Sequence, residues 1–123
     1  MDFNEWHVPG RGSARNKSQV RISKNYISIS RYCVKNYFGD YRSARIGYDS
    51  LNNRLIIKPT IEDDKLGFKL IGRDESNFLY INAKYFVMEH NIAPQVGKKS
   101  EIYECEWDAE REWIEVKNIK GVQ

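Results

Sequence analysis

Nine basic side chains between residues 10 and 45 are the part of this sequence best suited to chemistry, and that chemistry is the binding of phosphates. The same stretch holds a single acidic residue, Asp40. Lysine and arginine side chains that neutralise phosphates give a nucleic-acid affinity that weakens with salt. The interleaved Tyr26, Tyr32 and Tyr41 have rings on which bases can stack. The alternative is a solvated basic face whose aromatic side chains turn into the core. The candidate binding residues are Arg11, Arg15, Lys17, Arg21, Lys24, Arg31, Lys35, Arg42 and Arg45.

A row of carboxylates near the C-terminus is a second candidate for chemistry. Glu104, Glu106 and Asp108 alternate along a predicted strand that runs from Ile102 to Asp108. Neighbouring carboxylates can hold Mg²⁺ or act as general acid and base. More often such a row is the solvated face of an antiparallel sheet, and a third interpretation is an acidic surface that docks on a basic partner.

The remaining reactive side chains lack a catalytic arrangement. His7 lies near the N-terminus, and His90 lies near the end of a predicted helix, where a cation is favoured as a surface or capping residue. No nucleophile, histidine and carboxylate follow the order of a hydrolytic triad. The Gly-Arg-Gly sequence at residues 10–12 does not follow a strand, as a phosphate-binding loop would. Cys33 and Cys105 have neither paired nor metal-type spacing, which favours two buried thiols. We therefore expect no enzymatic activity, no metal and no cofactor.

Charge is distributed unequally along a chain of ordinary composition. Of the 123 residues 41% are hydrophobic and 30% charged, which is typical of one globular unit. Residues 1–58 hold 11 Lys and Arg against four Asp and Glu, and residues 59–123 hold nine against 13. Such an imbalance indicates a polyanionic partner. No apolar run approaches the ~20 residues of a membrane span, and the first six residues lack signal-peptide features. We expect a cytoplasmic protein with no membrane partner.

The elements that must position these side chains follow the same order twice. Alternating apolar residues predict strand, strand, short helix, strand, turn and strand in residues 19–60 and again in residues 67–120, with a linker at 61–66. Residues 1–18 are predicted to form a flexible basic arm, because so few of their side chains are apolar. The predicted fold is β-rich α+β, in which duplicated ββαββ units form a small pseudo-twofold β-barrel or sandwich with two short helices.

Both predicted helices carry signals for their ends and their buried faces. Ser30 is predicted to cap the first helix, Gly39 to end it, and Asn82 to cap the second. Apolar residues at helical spacing predict one buried stripe in each helix. These stripes are Val34, Tyr37 and Phe38 in the first helix and Tyr85, Met88 and Ile92 in the second.

The order of short segments in the first repeat matches a known family. The matching features are Val20-Arg21-Ile22, Ile27-Ser28-Ile29-Ser30, a two-turn helix that closes at Gly39, Ala44-Arg45-Ile46 and the run from Arg54 to Pro59. On these features the repeat resembles the AbrB/SpoVT family of swapped-hairpin DNA-binding domains. The resemblance implies that two such units interleave into a small barrel, which a tandem copy could complete within one chain. It also implies DNA contacts from the helix, where Lys35 falls near a basic position of the family.

These observations predict a non-enzymatic nucleic-acid-binding protein, a small regulator that acts on DNA. The alternative is a phage or mobile-element inhibitor of host defence, which binds a host protein or sequesters a nucleotide signal in a basic pocket. A metal-dependent nuclease that uses the carboxylate row is the third hypothesis. Unpaired strand edges would favour a homodimer.

Overall fold

Two antiparallel sheets and two short helical segments form the described part of the chain. The computed structural model describes residues 16–73 and 76–121. The nine strands among these residues are β1 (Gln19–Ser23), β2 (Tyr26–Ser30), β3 (Ser43–Asp49), β4 (Arg54–Thr60), β5 (Phe68–Lys69), β6 (Phe78–Asn82), β7 (Ser100–Glu104), β8 (Glu106–Asp108) and β9 (Trp113–Lys117). The first sheet has the order β6-β2-β1-β7, and the second has the order β5-β3-β4-β9-β8. The prediction of a small β-rich α+β fold is confirmed.

Each sheet contains strands from both predicted repeats. In the first sheet β2 pairs with β6 in a register that places Ser28 opposite Tyr80. In the second sheet β4 pairs with β9, and Ile56 lies opposite Glu115. The strand β1 pairs with β7, and β3 pairs with β5. The two halves of the chain are therefore joined by strand pairing and do not form separate sheets.

The core is drawn from the apolar residues that alternate along these strands. Ile27 and Ile29 on β2, and Leu55 and Ile57 on β4, are fully buried and belong to one cluster. Successive side chains of a strand point to opposite faces, so this alternation directs one face of each sheet inward. Burying a side chain of this size contributes roughly 1.5–3 kcal/mol. The other face of each sheet is free to carry polar and aromatic groups.

The first helical segment has the predicted ends. Helix α1 (Arg31–Cys33) continues as one π-helical turn (Val34–Phe38). The Ser30 side chain accepts a hydrogen bond from the Cys33 backbone N–H, which confirms the cap. Gly39 has φ of 57° and ψ of −120°, a positive-φ backbone conformation that is open to glycine and strained for other residues. Two members of the predicted stripe, Val34 and Phe38, are buried, and Tyr37 is half-buried.

The second helix differs from its prediction in both start and buried face. Helix α2 (Lys84–Glu89) has Ala83 at its N-cap, because Asn82 still pairs with Tyr26 as the last residue of β6. The side chains of Tyr85 and Met88 are 81% and 60% exposed, so that stripe was wrong. Val87 faces the core instead. Ile92 is buried as predicted, but it lies beyond the end of the helix.

The predicted strand from Ile102 to Asp108 is two strands in different sheets. Strand β7 ends at Glu104 in the first sheet, and β8 begins at Glu106 in the second. The chain changes sheets at Cys105, so the two parts of the predicted strand belong to different sheets, although buried and exposed side chains continue to alternate from Glu101 to Glu106. Among residues 16–73 and 76–121 no helix is long and apolar enough to cross a membrane.

Candidate nucleic-acid interface

Arg21 lies at the centre of the outer face of the first sheet. Its neighbours on β1, Val20 and Ile22, point into the core, so its own side chain points outward. It lies opposite Ser28 on one neighbouring strand and opposite Ile102 on the other. Antiparallel partners share a face, so these three side chains form a row across the sheet.

Three aromatic rings share this outer face with Arg21. The Arg21 guanidinium carbon lies 4.4 Å from the centroid of the Phe78 ring. The rings of Tyr26 and Tyr80 meet edge to face, with centroids 5.0 Å apart. Tyr26 is 41% exposed and Ile102 is 52% exposed. We refer to these five residues, Arg21, Tyr26, Phe78, Tyr80 and Ile102, as the aromatic face.

The aromatic face combines a cation with surfaces on which flat groups can stack. Phe78 and Tyr80 alternate with the buried Leu79 and Ile81 along β6, so both rings are held by a strand whose opposite side is packed. A stacked base typically contributes about 1–3 kcal/mol to single-stranded nucleic-acid binding. A guanidinium can bind a phosphate through several N–H groups and can also stack. Among the described residues, the one acidic side chain in line with this face is Glu104, opposite Gln19 at the sheet edge.

Further basic residues lie at both ends of the aromatic face. The backbone carbonyl of Lys17 accepts a hydrogen bond from Ser30 at 2.8 Å, which places Lys17 at the end of β2 near Phe78. Lys24 lies in the turn at the other end, between β1 and β2. There it lines a cavity of about 430 Å³ together with Lys98 and Lys99.

Arg31 and Arg42 use part of their hydrogen-bonding capacity within the protein. The Nε of Arg31 donates to the carbonyl of Ser76 at 3.0 Å, and a second N–H of Arg31 donates to the carbonyl of Arg73. Arg31 thereby holds the segment before β6. Arg42 donates to the carbonyls of Gly39 and Tyr41, each at 2.7 Å. Backbone carbonyls do not neutralise a guanidinium, so both residues keep their charge.

Arg45 lies on the second sheet and is neutralised by a carboxylate. Its Nε and a terminal nitrogen contact the two oxygens of Asp64 at 2.6 and 3.0 Å. The hydroxyl of Thr60 and the backbone N–H of Leu66 also donate to Asp64. The hydrogen bond from Arg45 is the largest cause holding the pKa of Asp64 well below its usual range. Arg45 is thus separated from the aromatic face in both position and charge.

The other predicted binding residues are dispersed or lie outside the described part. Lys35 is exposed on the π-helical turn. Arg11 and Arg15 lie outside the described residues, as does most of the predicted arm. Of the tyrosines, Tyr32 packs against the ring of Tyr37 at 6.0 Å, and Tyr41 is exposed beside an open cavity of about 650 Å³.

The carboxylate row does not form a metal site in the described residues. Glu104 belongs to the first sheet, and Glu106 pairs with Lys117 at 3.4 Å in the second. Asp108 accepts hydrogen bonds from the backbone and side chain of Arg111, and the backbone bond is the larger cause that lowers its pKa. Within 16–73 and 76–121 no group of three His, Cys, Asp or Glu side chains could hold a metal ion.

Phe78 and Tyr80 were absent from the sequence-based set of binding residues. Their signal was the alternation Phe78-Leu79-Tyr80-Ile81, in which aromatic rings occupy the positions opposite the aliphatic core side chains. Comparisons with protein-family profiles, with curated proteins and with solved structures found no match. Function is therefore inferred from the geometry and the charge.

Proposed function

We propose that this protein binds nucleic acid without acting as an enzyme, and that the aromatic face is its binding surface. The observation that carries the proposal is the position of Arg21 over Phe78, beside the exposed ring of Tyr26. Lys17 and Lys24 flank this face at its two ends and would extend the path of a phosphate backbone. We expect the bound nucleic acid to be DNA, and we expect the protein to act as a regulator in the cytoplasm.

The geometry favours single strands over duplex DNA. Bases can stack on protein rings only when they are unstacked from one another, as in single strands and loops. A sheet face with rings on two neighbouring strands, β2 and β6, offers such a platform. A duplex would instead present its phosphates to the basic residues alone.

Two variants with matched chemistry test this surface. Arg21→Ala removes the cation over Phe78, and Arg111→Ala removes a cation over Trp113 on the second sheet. We expect Arg21→Ala combined with Tyr80→Ala to weaken single-stranded DNA binding by roughly tenfold or more, as stacking energies imply. Arg111→Ala should bind like the wild type. The measurement is fluorescence anisotropy with labelled single-stranded DNA, duplex DNA and RNA across a salt series.

The salt series separates the contribution of Arg21 from that of the rings. Loss of one phosphate contact should reduce the slope of log affinity against log salt by about 0.7 for a single strand. Tyr80→Ala alone should lower affinity and leave the slope unchanged. Equal losses in the Arg21 and Arg111 variants, or tight binding of the double variant, would remove the aromatic face from the proposal.

We further infer that the chain is an internal duplication whose halves interleave like swapped hairpins. In the predicted alignment of the repeats, Ser28 corresponds to Tyr80 and Ile56 corresponds to Glu115. Each of these residues lies opposite its own counterpart, which is what a twofold axis between the halves would produce. The pairing of β1 with β7 and of β3 with β5 follows the same relation. This arrangement supports a pseudo-twofold barrel related to the AbrB/SpoVT domains.

A second candidate function is the sequestration of a nucleotide signal, as in an inhibitor of host defence. The cavity of about 430 Å³ supports it, because Lys24 and Lys99 line it beside the apolar Ala93 and Pro94. Lys98 also lines it but pairs with Glu101 at 2.7 Å. Failure to bind any polynucleotide at low salt, together with thermal stabilisation of the protein by a small nucleotide, would favour this candidate over the first.

A further inference from the structure

The two cysteines of the chain lie side by side although 72 positions separate them. Cys33 ends α1, and Cys105 lies at the junction between β7 and β8. Their sulfur atoms are 3.6 Å apart, and both thiols are free. Cys33 is fully buried and Cys105 is 8% exposed. The pair bridges the two predicted repeats at the point where the chain changes sheets.

Two serine hydroxyls lie within hydrogen-bonding distance of the sulfur atoms. The Oγ of Ser18 lies 3.4 Å from the Sγ of Cys33 and 3.2 Å from the Sγ of Cys105. The Oγ of Ser30 lies 3.3 Å from the Sγ of Cys33. The hydrogen bond from Cys105 is the largest cause that lowers the pKa of Cys33 to about 6, although burial opposes the shift. The bond to Cys33 and burial raise the pKa of Cys105.

This environment differs from that of an inert core cysteine. A thiolate is the reactive form of cysteine, and hydrogen-bond donors that favour it make oxidation selective. Cys105 keeps its proton beside the Cys33 sulfur, so the pair holds a nucleophile next to a second thiol that can resolve an oxidised intermediate. Because Cys33 is buried, a small oxidant that enters through a local opening is required.

We propose that Cys33 and Cys105 are a redox pair that hydroperoxides convert to an intramolecular disulfide. The Cys33 thiolate attacks the terminal oxygen of the hydroperoxide. An S–O bond forms, the O–O bond breaks, and the alkoxide or hydroxide leaves with the proton released from Cys33. The Cys105 sulfur then attacks the Cys33 sulfenic acid. The S–S bond forms, the S–O bond breaks, and hydroxide leaves as water with the Cys105 proton. Two thiols are oxidised by two electrons and one peroxide bond is reduced.

The disulfide would tie α1 to the strand junction and alter the contacts of Ser18 with the two sulfur atoms. In the reduced protein Ser18 donates to the carbonyl of Cys105 at 3.1 Å, and its own carbonyl accepts from the Cys105 backbone N–H. A disulfide has an S–S length of about 2.0 Å, so the sulfur atoms must approach each other by roughly 1.6 Å. A cross-link over such a long loop restricts the unfolded chain strongly, so the oxidised protein should unfold at a higher temperature.

The test treats the full-length reduced protein with hydrogen peroxide and then alkylates it under denaturing conditions with N-ethylmaleimide. We expect intact-mass spectrometry to show a protein without N-ethylmaleimide adducts that is two hydrogens lighter than the reduced, unalkylated protein. Dithiothreitol should reverse this change. Tryptic digestion should yield one peptide pair that joins Cys33 to Cys105. Two alkylated thiols after treatment, an intermolecular dimer, or irreversible oxygen adducts in place of the cross-link would overturn the proposal.

Single variants assign the two roles. Cys105→Ser lacks the resolving thiol, so peroxide should leave a sulfenic acid on Cys33 that dimedone labels. Cys33→Ser should show much weaker dimedone labelling at Cys105, because burial still disfavours the Cys105 thiolate after the bond to Cys33 is lost. Equal labelling of the two variants would contradict the assignment of Cys33 as the attacking group. The wild-type cross-link decides the main proposal even where a variant folds poorly.

Discussion

Two arginines in the described part of the chain lie over aromatic rings, and their surroundings differ. Arg21 lies over Phe78, and within the described residues no carboxylate pairs with it. Arg111 lies 5.6 Å from the centroid of the Trp113 ring and also pairs with Asp108 at 3.1 Å. An ion pair that is already formed offsets the attraction of Arg111 for an incoming anion. Arg21 keeps that attraction, which is why we place the proposed phosphate contact there.

Also at the scale of residues, the pKa of Cys33 depends more on the hydrogen bond from Cys105 than on the burial of its thiol. We expect the ultraviolet absorbance of the thiolate to titrate at a pH of about 6 in the reduced wild type. Cys105→Ala removes the main donor to Cys33 and should raise its pKa toward the usual value. Cys105→Ser keeps a hydroxyl donor, so its shift should be smaller.

The informative result is the order of the Cys33 pKa in the wild type, Cys105→Ser and Cys105→Ala. If the alanine and serine variants titrate together with the wild type, the hydrogen bond from Cys105 does not control the Cys33 thiolate. The circular dichroism of each variant at neutral pH provides the control for folding, since Cys105 is packed in the core cluster.

At the scale of elements, short segments are held by side chains that bond to their neighbours. The π-helical turn after α1 is anchored by Tyr37, whose ring stacks on Trp107 of β8 with centroids 4.8 Å apart and planes 2° from parallel. A helix this short is not stable through its own propensity. Packing against the other half of the chain therefore keeps the segment in place.

The linker between the halves is held in the same way by Asp64. The pKa of Asp64 is depressed below its ordinary value of 3.8, chiefly by Arg45 and then by Thr60. A depressed carboxyl pKa contributes stability that is present above the ordinary pKa and is lost as the pH falls through the lower folded value. We expect Asp64→Asn to lower the midpoint of thermal unfolding at neutral pH, and the difference from wild type to shrink at acidic pH.

Asp63→Asn is the matched control for this experiment. It removes the same charge from the adjacent, exposed position of the linker. Calorimetry of the three proteins across the acidic range is the measurement. A constant difference between wild type and Asp64→Asn at every pH, or an equal effect of Asp63→Asn, would count against the role of the Arg45 pair.

At the scale of the whole molecule, each half of the chain supplies strands that pair with strands of the other half. The first sheet takes β1 and β2 from the first half and β6 and β7 from the second, and the second sheet is mixed in the same way. If the proposed interleaving of two similar units is correct, this mixing completes it within one chain. We therefore expect a monomer of 14.5 kDa by light scattering during size-exclusion chromatography.

The concentration dependence of that mass separates the monomer from the homodimer. Strands β7 and β8 end their sheets and could pair with a second copy, because edge strands carry unpaired backbone groups. A mass that doubles as concentration rises would favour the predicted homodimer and would weaken the proposal of an intramolecular pseudo-dimer. A constant mass would support that proposal.

Features that depend on neighbouring residues could be predicted from the sequence. Alternation predicted that Ile27 and Ile29 face the core, and the residue types at Ser30 and Gly39 predicted the ends of the first helix. The signal for each is contained within a few positions, because side-chain direction and caps follow from local backbone geometry. The predicted cap of α2 failed because the strand continues to Asn82, where pairing with Tyr26 holds it. The predicted stripe failed because contacts with distant segments decide which face of so short a helix is buried.

By itself the sequence determined a β-rich chain with two similar halves of alternating apolar residues, a basic first half and two buried thiols. Only the tertiary structure decided which strands pair, that Phe78 of one half lies beneath Arg21 of the other, and that Cys33 meets Cys105. The alternation of apolar residues predicts which face of a strand is buried, but it does not predict which other strand will pair with it. Pairing and packing between distant segments make that choice, so residues that are far apart in sequence form the sites together.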